Sequence, residues 1–365
     1  MPTSWLELDR VNLLHNVARL RALVQPAKIM AVVKANAYGA GAVPIATALA
    51  AEGVDAFAVA SVPEAVELRE AGVRARLLVL TYFAPEDVEA ILTHDLRPAV
   101  FTLDAARWLS EAAAARQSTA RAWVKVDTGL GRLGVPAEAA GRVLRRVAQL
   151  PALAVEGLFS TLAENPERSA EQMARLRRVR AELPALAGVP ISIASSQGIL
   201  SLRESYLDVV RPGLTLLGVA SGAERLDAAL AREADLRPVV TWKARVAYVK
   251  VVPRGEQVGY GPRAPLERAT PIATLAVGWA DGYAQTLAGS GHVLLHGRRC
   301  PVLAISANSA MVDVAGLDGV DVGAEAVLVG RQGAETIAAE EIARSIGSLY
   351  RVLATIPRAV PRAWS

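Results

Sequence analysis

Ala31-Val32-Val33-Lys34-Ala35-Asn36-Ala37-Tyr38-Gly39-Ala40-Gly41 joins an apolar run, which begins at Ile29-Met30, to a turn-rich stretch. A short apolar run stopped by glycines reads as a buried strand, and Lys34 closes it. Taken alone, a lysine there reads as a strand end whose ammonium snorkels to water. Burial, however, disfavours the charged form and leaves a neutral amine. That is the environment of a lysine that bonds a carbonyl group.

Outward from Lys34 the same texture repeats. Strand-like runs are predicted at 28–33, 56–60, 77–80, 97–101, 122–126, 154–159, 191–194 and 207–210, with amphipathic segments such as 63–71, 105–115 and 169–183 between them. Pro63 after Ser61-Val62 suits a first helical turn. Strands alternating with helices predict a parallel sheet. Eight units in roughly 200–250 residues predict a TIM-type (β/α)8 barrel. Beyond about residue 230 the runs 239–251, 273–277, 293–295, 302–305, 312–314 and 326–329 are β-rich and broken by Gly, Pro and Asp, with 337–346 the main helix. The fold class is therefore α/β, an N-terminal barrel at 9–230 followed by a mostly β domain at 231–365, to which residues 1–8 are assigned.

Barrel chemistry sits at the C-terminal strand ends. Lys34 would end strand one, and Lys125 and Asp127 strand five, with Arg132 in the next loop. Ser195 and Ser196 would end strand seven, and Arg211, before Pro212-Gly213, strand eight. Small residues and backbone N–H groups after strands seven and eight suit a phosphate. A nucleophilic lysine facing a phosphate site implies pyridoxal 5'-phosphate.

Composition narrows the class. The 365 residues are 52% hydrophobic with a net charge of +4, enough for a sizeable core. The arginines at 142–146 and 175–180 alternate with apolar residues at helical spacing, so they read as solvated helix faces and not as a nucleic-acid surface. Cys300 is the only cysteine, which excludes an intramolecular disulfide and suits a reducing compartment. No stretch reads as a signal peptide or a membrane span, so the chain reads as cytoplasmic. His15 and His94 stand outside the motifs. His292 and His296 are expected on one strand about 13 Å apart, too far for one metal.

Five blocks then resemble the alanine racemase family of fold-type III pyridoxal-phosphate enzymes, nearly end to end. They are Val33-Lys34-Ala35-Asn36-Ala37-Tyr38-Gly39, Lys125-Val126-Asp127-Thr128-Gly129-Leu130-Gly131-Arg132-Leu133-Gly134, Val210-Arg211-Pro212-Gly213, Gly259-Tyr260-Gly261 and Ala280-Asp281-Gly282-Tyr283. The first two are long and specific, whereas Tyr260-Gly261 alone would be weak. The resemblance implies a small amino-acid substrate and two catalytic bases, Lys34, which also holds the cofactor, and Tyr260, supplied across a head-to-tail homodimer. Bases on opposite faces let a proton leave one side and return on the other. It also implies Arg211 at the pyridine nitrogen. Tyr38, Ser196, Tyr350 and the backbone of Gly213 and Leu214 would hold the phosphate, and Arg132 would meet the substrate carboxylate. Lys125 matches a lysine that is carbamylated in many relatives.

The departures from the family pattern cluster. Thr161 stands where the family usually has a histidine linking the pyridine-side arginine to the tyrosine. Ala304-Ile305-Ser306-Ala307-Asn308-Ser309 replaces a usual Arg, apolar, Cys, Met, Asp, Gln, so Ala307 and Asn308 make a smaller, less acidic substrate wall. At the entrance, Trp279 replaces a tyrosine, Gln285 an arginine and Pro166 an aspartate, for which Glu164 or Glu167 could substitute. Two readings stay open: a racemase of alanine or another amino acid, and a divergent scaffold with a different pyridoxal-phosphate reaction or little turnover. A phosphate-binding barrel without catalysis is a third class. An ornithine-type decarboxylase would need a catalytic cysteine, and Cys300 before Pro301 does not match its setting.

Overall fold

The computed structural model describes residues 2–220 and 226–365. Met1, in the segment 1–8, and residues 221–225, in the segment 9–230, lie outside the described residues.

Eight parallel strands form the first sheet's closed ring. They are Lys28–Ile29 continuing as Ala31–Val32, Ala56–Val59, Arg76–Val79, Arg97–Val100, Ala120–Asp127, Leu153–Phe159, Ile191–Ser195 and Val209–Arg211. Closure runs through Met30: the residues before it pair with Val209–Arg211 and those after it with Ala56–Val59. Short apolar strands such as Ala56–Val59 are buried throughout, as a ring covered by outer helices requires. Those helices start where side chains can cap free N–H groups. Ser61 caps Val62–Glu70, Thr102 caps Leu103–Ala115, and Asn165 caps Pro166–Ala181 with Pro166 in the first turn.

The C-terminal part is antiparallel. Its strands Val240–Val252, Thr270–Leu275, Ala310–Asp313, Arg298–Ile305, His292–Leu295 and Glu325–Gln332 close into a ring of six, because the last pairs back with the first. Ser4–Leu8 pairs antiparallel with Val240–Val252 and parallel with Arg362–Trp364, so both chain ends join this sheet. The core runs through both parts, with Leu6 and Trp242 buried beside the barrel's Leu13 and Leu20.

Three details differ from the sequence reading. Lys34 does not end a strand; it opens a tight turn. Ala35, Asn36, Ala37 and Tyr38 have φ of 52°, 55°, 51° and 53°, a left-handed run of non-glycine residues before Gly39 at φ 92°. Each such residue costs roughly 1–2 kcal/mol, so the surroundings must hold the turn. Second, the helix predicted over 337–346 is Ala339–Ile346, since Ile337 ends the strand Glu335–Ile337 and Ala338 is extended. A further helix, Leu349–Ala354, carries Tyr350. Third, His296 lies in a turn at φ 49° after the strand His292–Leu295, so it does not share a strand face with His292.

Candidate active site

A cavity of about 490 Å³ opens at the C-terminal ends of the barrel strands. That volume lies within the range of small-molecule sites. Lys34, Tyr38, Lys125, Arg132, Ser196, Arg211, Leu214 and Tyr350 all line it, as do Thr161 and Glu164. Residues from seven separate strand-to-helix connections and the helix Leu349–Ala354 therefore converge on one space.

Each side chain is held in its own way. Burial, then the positive charges of Arg132 and Arg211, lower the Lys34 amine below its ordinary value, while Glu64 opposes them. Arg211 is buried, and its guanidinium donates to Ser192 Oγ at 2.6 Å, to the Ser160 carbonyl at 2.6 Å and to Thr161 Oγ1 at 3.5 Å. These partners are all neutral. Burial brings Arg211 down to about 10, so it stays protonated and can only donate. Its guanidinium lies 5.2 Å from the Phe159 ring centroid.

Lys125 is buried, donates to the Leu80 carbonyl at 3.3 Å and sits 5.4 Å from the same ring. Burial, then Arg132, Arg211 and Lys34, lower its amine to about 8 against the pull of Asp127. Asp127 shapes the loop that carries Arg132. Its carboxylate accepts from the N–H groups of Gly129, Leu130 and Gly131 at 2.9–3.2 Å. Partial burial would raise that carboxyl, but these backbone donors outweigh it and the net shift is downward.

In the same cavity, Ser196 Oγ accepts the N–H of Gly213 at 2.9 Å and of Thr215 at 3.3 Å. Its own proton remains for Thr215 Oγ1, 3.2 Å away, or for a ligand in the cavity. Tyr38 packs on this turn. A Cβ at Gly213 would lie 2.4 Å from Tyr38 Oη, so only glycine admits that ring. Burial raises the Tyr38 phenol, which stays a donor. The rings of Tyr38 and Tyr350 stand 6.1 Å apart.

The remaining sequence candidates lie elsewhere on the same chain. Tyr260 is 83% exposed, on a loop between Gly259 at φ 84° and Gly261 at φ 78°. Ala307 and Asn308 occupy the turn between Arg298–Ile305 and Ala310–Asp313. None of the three lines the cavity of its own chain. Trp279 lies beside that wall, since the Ser306 carbonyl accepts from its N–H at 3.0 Å and the Ala307 carbonyl from Ala280 at 2.9 Å. Thr161 stands next to Arg211, and Glu164, whose carboxylate lies against the Gln197 amide, lines the cavity while Pro166 opens a helix. Cys300 is buried in Arg298–Ile305; burial first, then Asp313, pushes its thiol up to about 11, so it is an unreactive core group.

The sequence reading missed Glu64 and Thr81. Thr81 lines the cavity and donates to the Ala60 carbonyl at 2.6 Å. Glu64 carried a signal, the Ser61-Val62-Pro63-Glu64 capping pattern. Among the described residues no group of three or more His, Cys, Asp and Glu is placed to hold a metal ion, and no helix is long and apolar enough to cross a membrane.

Residues 8–221 match the model of the alanine racemase N-terminal domain, and residues 239–364 that of its C-terminal domain. The chain is 39% identical over 371 residues to an alanine racemase of Symbiobacterium thermophilum, covering 99% of this chain and 97% of the relative. Its structure matches that of an alanine racemase from D-cycloserine-producing Streptomyces lavendulae with a TM-score of 0.91 and 32% identity, covering 100% of this chain and 97% of the other. An alanine racemase from Bartonella henselae with covalently bound pyridoxal phosphate matches at a TM-score of 0.87 and 26% identity, with 100% of each chain covered.

Proposed function

Because the chain belongs to the alanine racemase family, we propose that the cavity at its barrel mouth holds pyridoxal 5'-phosphate on Lys34 and that L- and D-alanine are interconverted there between two bases, Lys34 and Tyr260. One observation carries this reading. A half-buried lysine of lowered basicity shares a cavity with a buried arginine whose partners are all neutral and with Ser196, whose hydroxyl holds the turn at Gly213. These groups fit the cofactor, since Arg211 can donate to a ring nitrogen and Ser196, Tyr38 and Tyr350 to a phosphate beside the backbone of Gly213 and Leu214.

When bound, pyridoxal phosphate withdraws electrons from the substrate and makes its α-hydrogen removable. Everything else falls to the chain. The Lys34 amine, its basicity lowered by burial and by Arg132 and Arg211, moves a proton at one face of the α-carbon, and the Tyr260 phenol of a second copy moves it at the other. Arg211, which stays protonated, would donate a hydrogen bond to the ring nitrogen without transferring its proton, so that nitrogen would stay unprotonated and competing chemistry would be restrained. Arg132 pairs with the substrate carboxylate. Lys125, with its amine near 8, is neutral often enough to take up carbon dioxide, and the carbamate would orient Arg132.

The domain division proposed is a barrel at 9–230 that binds the cofactor and a β domain at 231–365 plus 1–8 that serves the partner's site. The exposure of Tyr260, together with that of Tyr248, Val251 and Trp279 on the β part, supports a head-to-tail homodimer. The lone buried cysteine suits the cytoplasm. Ala307 and Asn308 favour tolerance of side chains larger than that of alanine, as a second reading of specificity. Two experiments test the proposal. Lys34→Ala is expected to abolish the yellow colour that the protein acquires with pyridoxal phosphate, and a coloured variant contradicts it. Dilution to monomers is expected to abolish turnover, and an active monomer by light scattering contradicts the shared site.

A further inference from the structure

The left-handed run after Lys34 needs an external hold, and Glu64 meets it from the neighbouring helix. One carboxylate oxygen accepts the N–H of Ala35 at 2.7 Å, and the other accepts the N–H of Ala60 at 2.8 Å. Ala35 directly follows Lys34, and Ala60 directly follows the strand Ala56–Val59, which pairs with Ala31–Val32. The Ala60 peptide is fixed on its other side too, where its carbonyl accepts from Thr81. A capping glutamate at the third helical position ordinarily turns back to the N-cap residue's own N–H, here Ser61. Glu64 instead reaches one residue further and across to the Lys34 turn.

We propose that Glu64 is a positioning residue for Lys34: its carboxylate ties the peptide after Lys34 to the end of the adjoining barrel strand and so aims the amine into the cavity. Both partners are N–H donors, so the clamp needs two acceptor oxygens. A glutamine supplies one acceptor and sets an NH₂ against the other donor. Aspartate keeps both oxygens on a stem one methylene shorter. The same carboxylate also favours the charged amine, against burial and the two arginines. Removing its charge therefore moves Lys34 further down.

The inference rests on Lys34 being the cofactor lysine, and the test separates the two. Borohydride fixation of the loaded wild-type protein followed by peptide mapping checks that reading alone. The positioning role is then read in cofactor-free protein by competitive labelling of amines with acetic anhydride across pH, comparing wild type, Glu64→Gln and Glu64→Asp. Glu67→Gln, a change on the same helix that removes the ion pair of Glu67 with Arg358 near the C-terminus, is the control. The labelling midpoint of Lys34 is expected to fall in Glu64→Gln, with cofactor uptake slowed about tenfold. Glu64→Asp should recover part of both, and Glu67→Gln should match wild type. Each protein's melting temperature identifies loss by unfolding. A folded Glu64→Gln protein with an unmoved Lys34 midpoint and wild-type uptake overturns the inference. Equal changes in Glu67→Gln would do so too, by marking a general loosening of the helix.

Discussion

Gly213→Ala isolates the turn assigned to the phosphate. The added Cβ would lie 2.4 Å from Tyr38 Oη, 2.8 Å from Cε2 and 2.9 Å from Cζ. Its φ of −132° is outside the left-handed region, so the steric burden falls on the Tyr38 ring. To regain ordinary contact the hydroxyl must withdraw by about 1 Å, which takes a hydrogen bond of normal length past its limit. A hydrogen bond to a charged group is worth about 1.5–3 kcal/mol, which predicts roughly 10- to 150-fold weaker cofactor retention. Retention is measured by equilibrium dialysis against pyridoxal phosphate, with absorbance reporting the bound form. Tyr38→Phe should weaken it by a similar factor, and the double variant should add little, because both changes remove one contact. Wild-type retention in Gly213→Ala, or fully additive losses in the double variant, would refute the cradle.

Tyr260→Phe is expected to leave cofactor colour intact and to abolish racemisation in at least one direction, as followed by chiral chromatography; full activity both ways removes Tyr260 from the mechanism. Thr161→His places a titratable ring beside Arg211 and is expected to raise alanine turnover. No gain in kcat would mean that the link is made by other groups. Lys125 should be labelled by acetic anhydride in cofactor-free, carbon-dioxide-free protein with a midpoint near pH 8, and a midpoint at an ordinary lysine value contradicts its setting. A lysine lowered on folding opposes folding at pH below its folded value, and that opposition is lifted as pH rises from about 8 towards the unfolded value. Lys125→Met should therefore stabilise the cofactor-free protein more at pH 7 than at pH 10, as judged by urea midpoints.

The barrel was legible because its strands are short, apolar and regularly spaced between helical segments. Lys34, Lys125, Arg132, Ser196 and Arg211 could be placed on one face because each falls at or just after the C-terminal end of a barrel strand, a consequence of parallel topology. Tyr350 could be assigned only by resemblance, since its helix comes from the far end of the chain and reaches Tyr38 through tertiary packing. The left-handed turn at 35–38 was hidden because Ala and Tyr carry no local preference for positive φ. It is held because Glu64 accepts from Ala35 while also accepting from Ala60 at the end of the neighbouring strand, and because Asn36 accepts from Ala42. The boundary at Ile337 was misread because Thr336-Ile337-Ala338-Ala339 suits either a strand end or a helix start. For Tyr260, Ala307 and Asn308 the proposed neighbours belong to a second copy, and no periodicity within one chain brings such residues to a site.

Chiral chromatography of the cofactor-loaded protein incubated with L-alanine tests the central claim most directly. D-alanine should accumulate until both enantiomers are equal, with no inversion in Lys34→Ala. A coloured, folded protein that leaves L-alanine unchanged at every enzyme concentration would contradict it.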